Sequence, residues 1–278
     1  FASSPAWAQA SEVCFEEECV VSEMSYLETM KQFRQMYPSI EFITNWSENR
    51  PQAFASFRRL TVSGGFARKK GINLGGLIVV TCHEVGHALL SLSEGEADYF
   101  AAEHCLKDFN RGKDLIQGRP YKEVPDFVYQ ECEQIYSTEE NRSLCLRSLV
   151  SSHNAALADS QRCLMRMIDF LEAVKATKKK QIKVNEFYFR CLRTLPSVKQ
   201  KTFKTTILLN AITTTVGILE KPLEYFKQDR RKVRKTYHQH NSPICRMETL
   251  VSGSLGLPKP NCWYYSPSRV ELGDATSQ

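Results

Sequence analysis

The chain has 278 residues, of which 42% are hydrophobic and 24% charged, and its formal net charge at pH 7 is +6. A chain of this size can bury a core of its own, either as one large domain or as a catalytic domain with a helical elaboration. The positive charge is too small to argue for a nucleic-acid partner. The sequence shows no internal repeat and no low-complexity tract, which excludes a repeat architecture.

The first ten residues are rich in small side chains and end in Ala-x-Ala, which is typical of the tail of a secretory signal peptide. The apolar core of such a peptide would lie upstream, so a flexible terminus is the alternative. On the signal interpretation the mature chain starts near Ser11. The protein would then be exported to a periplasm or to the extracellular space.

The ten cysteines favour the same compartment. Their number is even, and none of them has the C-x-x-C spacing of a structural zinc finger or a redox dithiol. We therefore expect a set of disulfides formed in an oxidising environment, with buried reduced thiols in a cytosolic protein as the alternative. The cysteines are Cys14, Cys19, Cys82, Cys105, Cys132, Cys145, Cys163, Cys191, Cys245 and Cys262.

Short elements are predicted before the central motif. Residues 28–37 have helical character, residues 38–44 form a short strand, and residues 54–68 supply a second extended segment. The second segment contains the strand 59–67, which carries a pair of glycines. Residues 71–76 then lead into a helix.

This helix carries the pattern HExxH, as His83-Glu84-Val85-Gly86-His87, after an apolar run at residues 77–80. Two histidines four residues apart share one helix face, so both imidazoles can bind one metal ion. Two nitrogen ligands with an adjacent carboxylate make a hydrolytic zinc centre, in which Zn²⁺ acidifies a bound water and Glu84 takes the proton. The alternative is a pair of exposed histidines beside a solvated glutamate.

A third ligand is expected on a second helix that runs to about residue 109. Glu94 and Asp98 lie four residues apart, so one carboxylate can bind the metal while the other accepts the spare N–H of a ligating histidine. Glu96 competes for the ligand role, but with Ser93 it forms the Ser-x-x-Glu pattern of a capping box. We therefore favour Glu94 as the third ligand.

The connection between the two helices is short. Only six residues, 88–93, separate His87 from Glu94, and they must end one helix, turn and start the next. Either the turn is unusually tight, or a mobile loop that belongs here is absent from the chain.

The second half of the chain is predicted to be mainly helical. A Gly/Pro-containing linker at 110–125 ends the metal-binding half, and residues 127–136 and 139–174 then have helical character. Cys132 and Cys145 lie near the turn between these helices and are placed to link them. Near the end of the chain, Cys245 and Cys262 bracket a loop and are expected to pair.

Two further features concern surfaces. Residues 205–219 are largely apolar, but fifteen residues fall short of the ~20 that span a bilayer, so we predict a core helix and no transmembrane segment. Basic residues cluster at 175–180, 199–204 and 227–235. A solvated helix face is the simpler interpretation of these clusters, and a surface for anionic envelope material, such as peptidoglycan or lipid headgroups, is the other.

The order of the motifs resembles that of the gluzincin metallopeptidases, in which HExxH is followed by ExxxD. Far downstream, His240 precedes Arg246 by six residues with Pro243 between them. This resembles the histidine and proline segment, ending in arginine, of the prenyl-protease-type gluzincins, whose soluble members are called minigluzincins. The resemblance covers roughly residues 54–106 and 236–251.

The resemblance implies roles for residues outside the metal-binding motif. His240 would help to stabilise the tetrahedral intermediate, with Tyr237 and His238 as neighbouring candidates, and Arg246 would support the cleft. The strand 59–67 would be an edge strand along which an extended peptide lies. Its binding residues would be Val62, Ser63, Gly64 and Gly65.

Together these observations predict an α+β protein with a zincin-like core and a mainly helical second half. The expected units are 1–10 as a signal-peptide remnant, 11–109 as the metal-binding half, and 126–278 as the helical half that completes the cleft. The expected function is that of an exported zinc metallopeptidase acting on proteins or peptides. The alternative is a metal-binding or interaction protein that uses a peptidase scaffold without turning over peptides.

Overall fold

The computed structural model describes residues 21–69, 71–113, 126–177, 179–185, 188, 191–192, 202–220, 242–260 and 262. Within them the protein is a mixed α+β fold, mostly helical, with one three-stranded and one two-stranded sheet. The predicted signal-peptide remnant at 1–10, the loop between Cys14 and Cys19, and the basic cluster at 227–235 lie outside the described residues.

The described chain opens with helix α1 (Glu23–Met36), whose first turn is capped by the Ser22 side chain. The three-stranded sheet follows, with β1 (Glu41–Asn45), β2 (Ala53–Ser56) and β3 (Arg59–Ser63) in the order β1-β3-β2. β1 is parallel to β3, and β2 is antiparallel to it.

This strand order contradicts the prediction that the strand at 59–67 is an edge strand. β3 is the central strand, so both of its hydrogen-bonding sides are occupied by β1 and β2. The strand also ends at Ser63, where the short helix α2 (Gly64–Ala67) begins. The edge positions belong to β1 and β2.

Helix α3 (Leu74–Leu90) is the centre of the largest hydrophobic core. It is capped by Asn73, whose side chain accepts the backbone N–H of Gly76 at 2.9 Å. Twelve of its 17 residues are buried, so the helix is enclosed on nearly all sides. It packs on the inward face of the sheet, including Leu60 and Val62, and on the apolar side of α1.

A second helical arm leaves the end of α3 at a steep angle. It consists of α4 (Glu94–Phe100), a π-helical turn (Ala101–Cys105) and α5 (Leu106–Asn110). Its axis makes an angle of 116° with that of α3. A buried disulfide between Cys82 and Cys105 joins α3 to this arm, with 5.5 Å between the two Cα atoms.

The second half is mainly helical, as the sequence predicts. It contains α6 (Asp126–Ile135), the long α7 (Glu139–Lys175), the β4 (Gln181–Lys183) and β5 (Thr202–Lys204) pair, α8 (Thr205–Glu220) and α9 (Pro243–Leu255). Helix α9 packs against both α7 and α4, which joins this half to the metal-binding half. The far end of α7, α8 and the strand pair form a separate hydrophobic cluster, which we call the distal cluster.

Four disulfides lie within the described residues. The predicted pairs Cys132–Cys145 and Cys245–Cys262 are both confirmed. Cys82–Cys105 and Cys163–Cys191 are the other two. Among the described helices, none is by itself long and apolar enough to cross a membrane, although α3 together with the bent arm that follows it meets the criteria of length and composition.

Candidate metal centre

The imidazoles of His83 and His87 converge above one face of α3. Their Nε2 atoms are 3.0 Å apart. The Oε2 atom of Glu94, from the start of α4, lies 3.0 Å from Nε2 of His83 and 3.5 Å from Nε2 of His87. These three side chains form a group that could hold a metal ion.

The spacing of the three atoms fits a tetrahedral metal site. Ligand atoms that each lie ~2.0–2.1 Å from a tetrahedral zinc ion are themselves separated by about 3.3 Å. The three distances in the protein lie on either side of this value. The donor set of two imidazoles and one carboxylate is also one that zinc accepts with a fourth position left for water.

The outer hydrogen bonds of the histidines fix how their rings are protonated. Nδ1 of His87 lies 2.7 Å from the backbone oxygen of Leu92, which can only accept, so Nδ1 carries the hydrogen. Nδ1 of His83 lies 2.8 Å from a carboxylate oxygen of Asp98 and donates in the same way. In the neutral rings both Nε2 atoms then present lone pairs to each other and to Glu94. A cation bound by all three atoms would relieve the repulsion between their lone pairs.

Asp98 is itself held by Arg246 on α9. The guanidinium donates from Nε to Oδ2 at 2.9 Å and from Nη2 to Oδ1 at 2.7 Å. Burial raises the pKa of the Asp98 carboxyl, but the charges of Arg246 and His83 outweigh burial and hold that pKa well below its usual range. The family resemblance implies that Arg246 supports the cleft, and the structure brings it into contact with Asp98 across 148 positions of chain.

The site has a negative potential. Burial lowers the pKa of His83, but Asp98, Glu94 and Glu84 together outweigh burial and raise this pKa to about 10. Glu84 is itself 9% exposed and sits beside the histidine pair. Surroundings that attract a proton so strongly also favour a metal cation.

The six-residue connection is a tight turn, which is the first of the two explanations that the sequence left open. Ser91 adopts a left-handed conformation with φ 51°, and its N–H donates to the His87 carbonyl at 3.1 Å. Leu92 then turns its carbonyl towards the His87 ring. The turn therefore returns the chain to the metal face and orients one of the ligands.

Ser93 and Glu96 form the predicted capping box at the start of α4. The Ser93 backbone N–H donates to Oε2 of Glu96 at 2.9 Å. This contact directs Glu96 back to the helix end, while Glu94 faces the histidines. Gly86, one of the two variable positions of HExxH, permits the close approach of α4, because a Cβ atom there would lie 3.1 Å from the Phe100 ring and 3.3 Å from Cα of Ala97.

The residues proposed from the family resemblance to bind substrate have other contacts. A Cβ atom on Gly64 would lie 1.9 Å from the Trp46 carbonyl oxygen, and one on Gly65 would lie 2.3 Å from that of Asn49. The Ser63 hydroxyl donates to the Arg50 carbonyl oxygen at 2.6 Å. Val62 is fully buried in the core. Ser63, Gly64 and Gly65 therefore pack against the loop after β1, and the edge-strand position expected of this segment is wrong.

His240, His238 and Tyr237 lie outside the described residues. Three features of the site were not predicted from the sequence. They are the Leu92 carbonyl that contacts His87, the left-handed conformation of Ser91 and the Cys82–Cys105 disulfide. Cys82 directly precedes His83, which is a signal that the disulfide has a bearing on the site. Its partner cannot be read from ten cysteine positions.

Comparisons with known proteins do not assign this chain to a family. No protein-family model, no curated protein and no solved structure matches this chain.

Proposed function

We propose that the protein is a zinc-dependent peptidase, with zinc held by His83, His87 and Glu94. The observation that carries this proposal is the convergence of three acceptor atoms from His83, His87 and Glu94, with the tautomers of the two histidines fixed by Asp98 and Leu92. The HExxH and ExxxD spacing of these residues also resembles that of gluzincins, and α3 with its sheet would correspond to a zincin-like core.

Each residue around the ion would have a separate role in peptide hydrolysis. Bound zinc would acidify a water molecule and polarise the scissile carbonyl. Glu84, next to the histidines and only 9% exposed, would take the proton of that water and pass it to the leaving amine. Asp98 and Leu92 would keep the imidazoles in the correct tautomer and orientation. His240, with Tyr237 and His238 as alternatives, would donate a hydrogen bond to the developing oxyanion.

A substrate peptide would add to an edge strand, and β2 is better placed than β3 for this role. Among the described strands β2 pairs only with β3, so its other side has no partner there, and β2 packs against α3. The turn between β2 and β3 touches the end of α3, where the Arg58 N–H donates to the Ala88 carbonyl at 3.0 Å. An extended peptide paired with β2 would therefore run beside the helix that carries the histidines.

Export of the protein remains part of the proposal. The four disulfides are compatible with an oxidising compartment such as a periplasm or the extracellular space. The alternative function is metal binding without turnover. The short connection that motivated it no longer favours it, since the Glu94 carboxylate does reach His83.

The decisive experiment separates metal binding from hydrolysis. We expect Glu84→Gln to lower peptide hydrolysis by ~10²–10⁴ while zinc content stays at one per chain, because an amide cannot accept the proton but the ligands are intact. Hydrolysis would be measured on a mixed peptide library and zinc by elemental analysis. The double change His83→Ala and His87→Ala should remove the zinc.

Glu96→Gln is the matched control. It makes the same chemical change two residues after Glu94, and a glutamine still completes a capping box, so both hydrolysis and zinc should be retained. Full hydrolysis by Glu84→Gln would exclude the proposed mechanism. Stoichiometric zinc in a wild-type protein that cleaves no peptide would favour the alternative function.

A further inference from the structure

The distal cluster carries a group of exposed lysines that the proposed peptidase site does not use. Described residues from two of the basic stretches noted in the sequence meet here, although about twenty residues separate the two stretches in the chain. We call this surface the lysine face. It comprises Lys179, Lys180, Lys183 and Lys204, all of which are exposed.

Pairing of β4 with β5 brings these lysines together. Gln181 lies opposite Lys204, and Lys183 lies opposite Thr202. Alternation along a strand puts Gln181 and Lys183 on one face, so Lys183 and Lys204 are diagonal neighbours on the outward side. The opposite side, with Ile182 and Phe203, packs on the hydrophobic core of the distal cluster.

The other two lysines are held at the end of this strand pair. Thr205 starts α8, and its backbone N–H donates to the Lys180 carbonyl at 3.1 Å. The Thr205 hydroxyl also donates to the Lys179 carbonyl. The backbone that carries Lys179 and Lys180 is therefore fixed beside Lys204, which directly precedes Thr205.

The lysine face has one sign of charge. The described stretches 179–185 and 202–217 contain no aspartate or glutamate. Glu172, the last acidic residue of α7, is paired with Lys175 at 2.8 Å. Like charges on neighbouring positions of a two-stranded sheet repel one another, and a bound anion would relieve that repulsion.

We propose that the lysine face binds the anionic surface of a lipid bilayer. Ile207 distinguishes this partner from a soluble anionic polymer, because its side chain is 56% exposed in the first turn of α8, three residues after Lys204. An exposed aliphatic group contributes little to binding a polyanion in water. At a membrane it can enter the boundary between headgroups and acyl chains while the lysines contact phosphate.

The test uses the whole protein and vesicles of defined composition. Wild-type protein should co-sediment with vesicles of phosphatidylglycerol and phosphatidylcholine in equal amounts and not with pure phosphatidylcholine vesicles. Each lysine close to an anionic membrane strengthens binding about fivefold. The quadruple variant, with Lys179, Lys180, Lys183 and Lys204 all changed to Gln, should therefore bind several hundred-fold more weakly.

The matched control removes the same charge elsewhere. Four exposed cations outside the lysine face are changed to Gln, and this variant should bind the anionic vesicles as the wild type does. They are Lys31, Arg50, Arg111 and Arg166. Unchanged circular dichroism and zinc content in both variants would show that the fold and the metal site are intact, which separates this test from that of the peptidase.

Two soluble anions test the identity of the ligand, and a substitution at Ile207 tests the apolar contribution. Inorganic phosphate should compete poorly with vesicles, and heparin should bind the protein more weakly than vesicles do. Ile207→Ser should weaken vesicle binding without affecting heparin. Equal vesicle binding by the quadruple variant and the wild type would overturn the proposal. So would binding of heparin in preference to vesicles, or no effect of Ile207→Ser.

Discussion

The metal centre and the lysine face use charge in opposite ways. At the metal centre Asp98 is almost fully buried, and it contacts both His83 and Arg246 within hydrogen-bonding distance. On the lysine face the cations are exposed and repeat one sign. A buried charge is stabilised only by partners in fixed geometry, whereas exposed charges act through their summed potential and are screened by salt.

This difference predicts how each region fails. A single substitution should strongly weaken the metal centre. Arg246, Asp98 and His83 are linked in series, so removing one of them leaves a buried group beside it without its partner. The lysine face should lose its proposed binding to anionic vesicles gradually with each lysine removed. The two regions also have separate hydrophobic clusters and separate disulfides, Cys82–Cys105 and Cys163–Cys191, so damage to one need not unfold the other.

The largest effect is expected from Arg246→Ala. This change leaves the Asp98 carboxylate buried without the guanidinium that holds its pKa low, and breaking a buried ion pair typically costs ~3–5 kcal/mol of unfolding free energy. The metal should also bind ~10–100-fold more weakly, since Asp98 orients His83. Urea denaturation measures the first quantity, and titration against a competing chelator measures the second.

Arg246→Lys is the control for this prediction. Lysine keeps the charge but cannot make the two-pronged contact with Asp98, so its effects on stability and metal affinity should lie between those of wild type and Arg246→Ala. A metal affinity unaffected by Arg246→Ala would mean that Asp98 orients His83 without help from α9.

The parts of the site that were predictable are those set by local sequence. His83 and His87 converge because residues four apart share a helix face, and Ser93 and Glu96 form a capping box because the motif is contained in one turn. Cys132–Cys145 and Cys245–Cys262 were predicted because each pair flanks a single turn or loop.

The features that were missed depend on contacts between distant segments. The central position of β3 depends on its parallel pairing with β1, from which residues 46–58, including β2, separate it, and nothing in the strand itself encodes this order. The Leu92 carbonyl orients His87 through the backbone, which has no sequence signature. The pairing of Cys82 with Cys105 depends on the bend between α3 and the following arm, which the spacing of the cysteines does not indicate.

A smaller effect is expected at the tight turn between α3 and α4. Ser91→Val places a β-branched residue at φ 51°, which typically costs ~1–2 kcal/mol of unfolding free energy. Relaxation of the turn would move the Leu92 carbonyl from His87, so we expect metal affinity to fall by about tenfold. Thermal denaturation and chelator competition measure the two effects.

Ser91→Asn distinguishes the effect of backbone strain at φ 51° from the effect of losing the serine side chain. Asparagine adopts the left-handed conformation more readily than other non-glycine residues, so the stability and metal affinity of this variant should stay close to those of the wild type. Equal losses in Ser91→Val and Ser91→Asn would show that the serine side chain matters and the backbone conformation does not.

The effect expected to be smallest near neutral pH concerns Lys113, a partly buried cation that lies outside both the metal centre and the lysine face. Its ammonium group lies 4.0 Å from the centroid of the Phe109 ring. Burial and the nearby charge of Arg147 lower its pKa to about 8 from the usual 10.5. Between these two pH values the unfolded chain holds a proton at Lys113 that the folded protein has released.

The free energy of unfolding of the metal-loaded protein should therefore gain a contribution that rises with pH, by up to ~1.4 kcal/mol per pH unit above pH 8. The measurement should stop near pH 10, because the pKa values of Tyr37 and Tyr99 are raised to about 12 and the unfolded chain begins to lose their protons first. Urea denaturation of wild type and of Lys113→Met across pH 7.5–10 isolates the contribution. Parallel curves for the two proteins would show that Lys113 titrates normally in the folded state, and a steeper rise in wild type would confirm that its charge is desolvated.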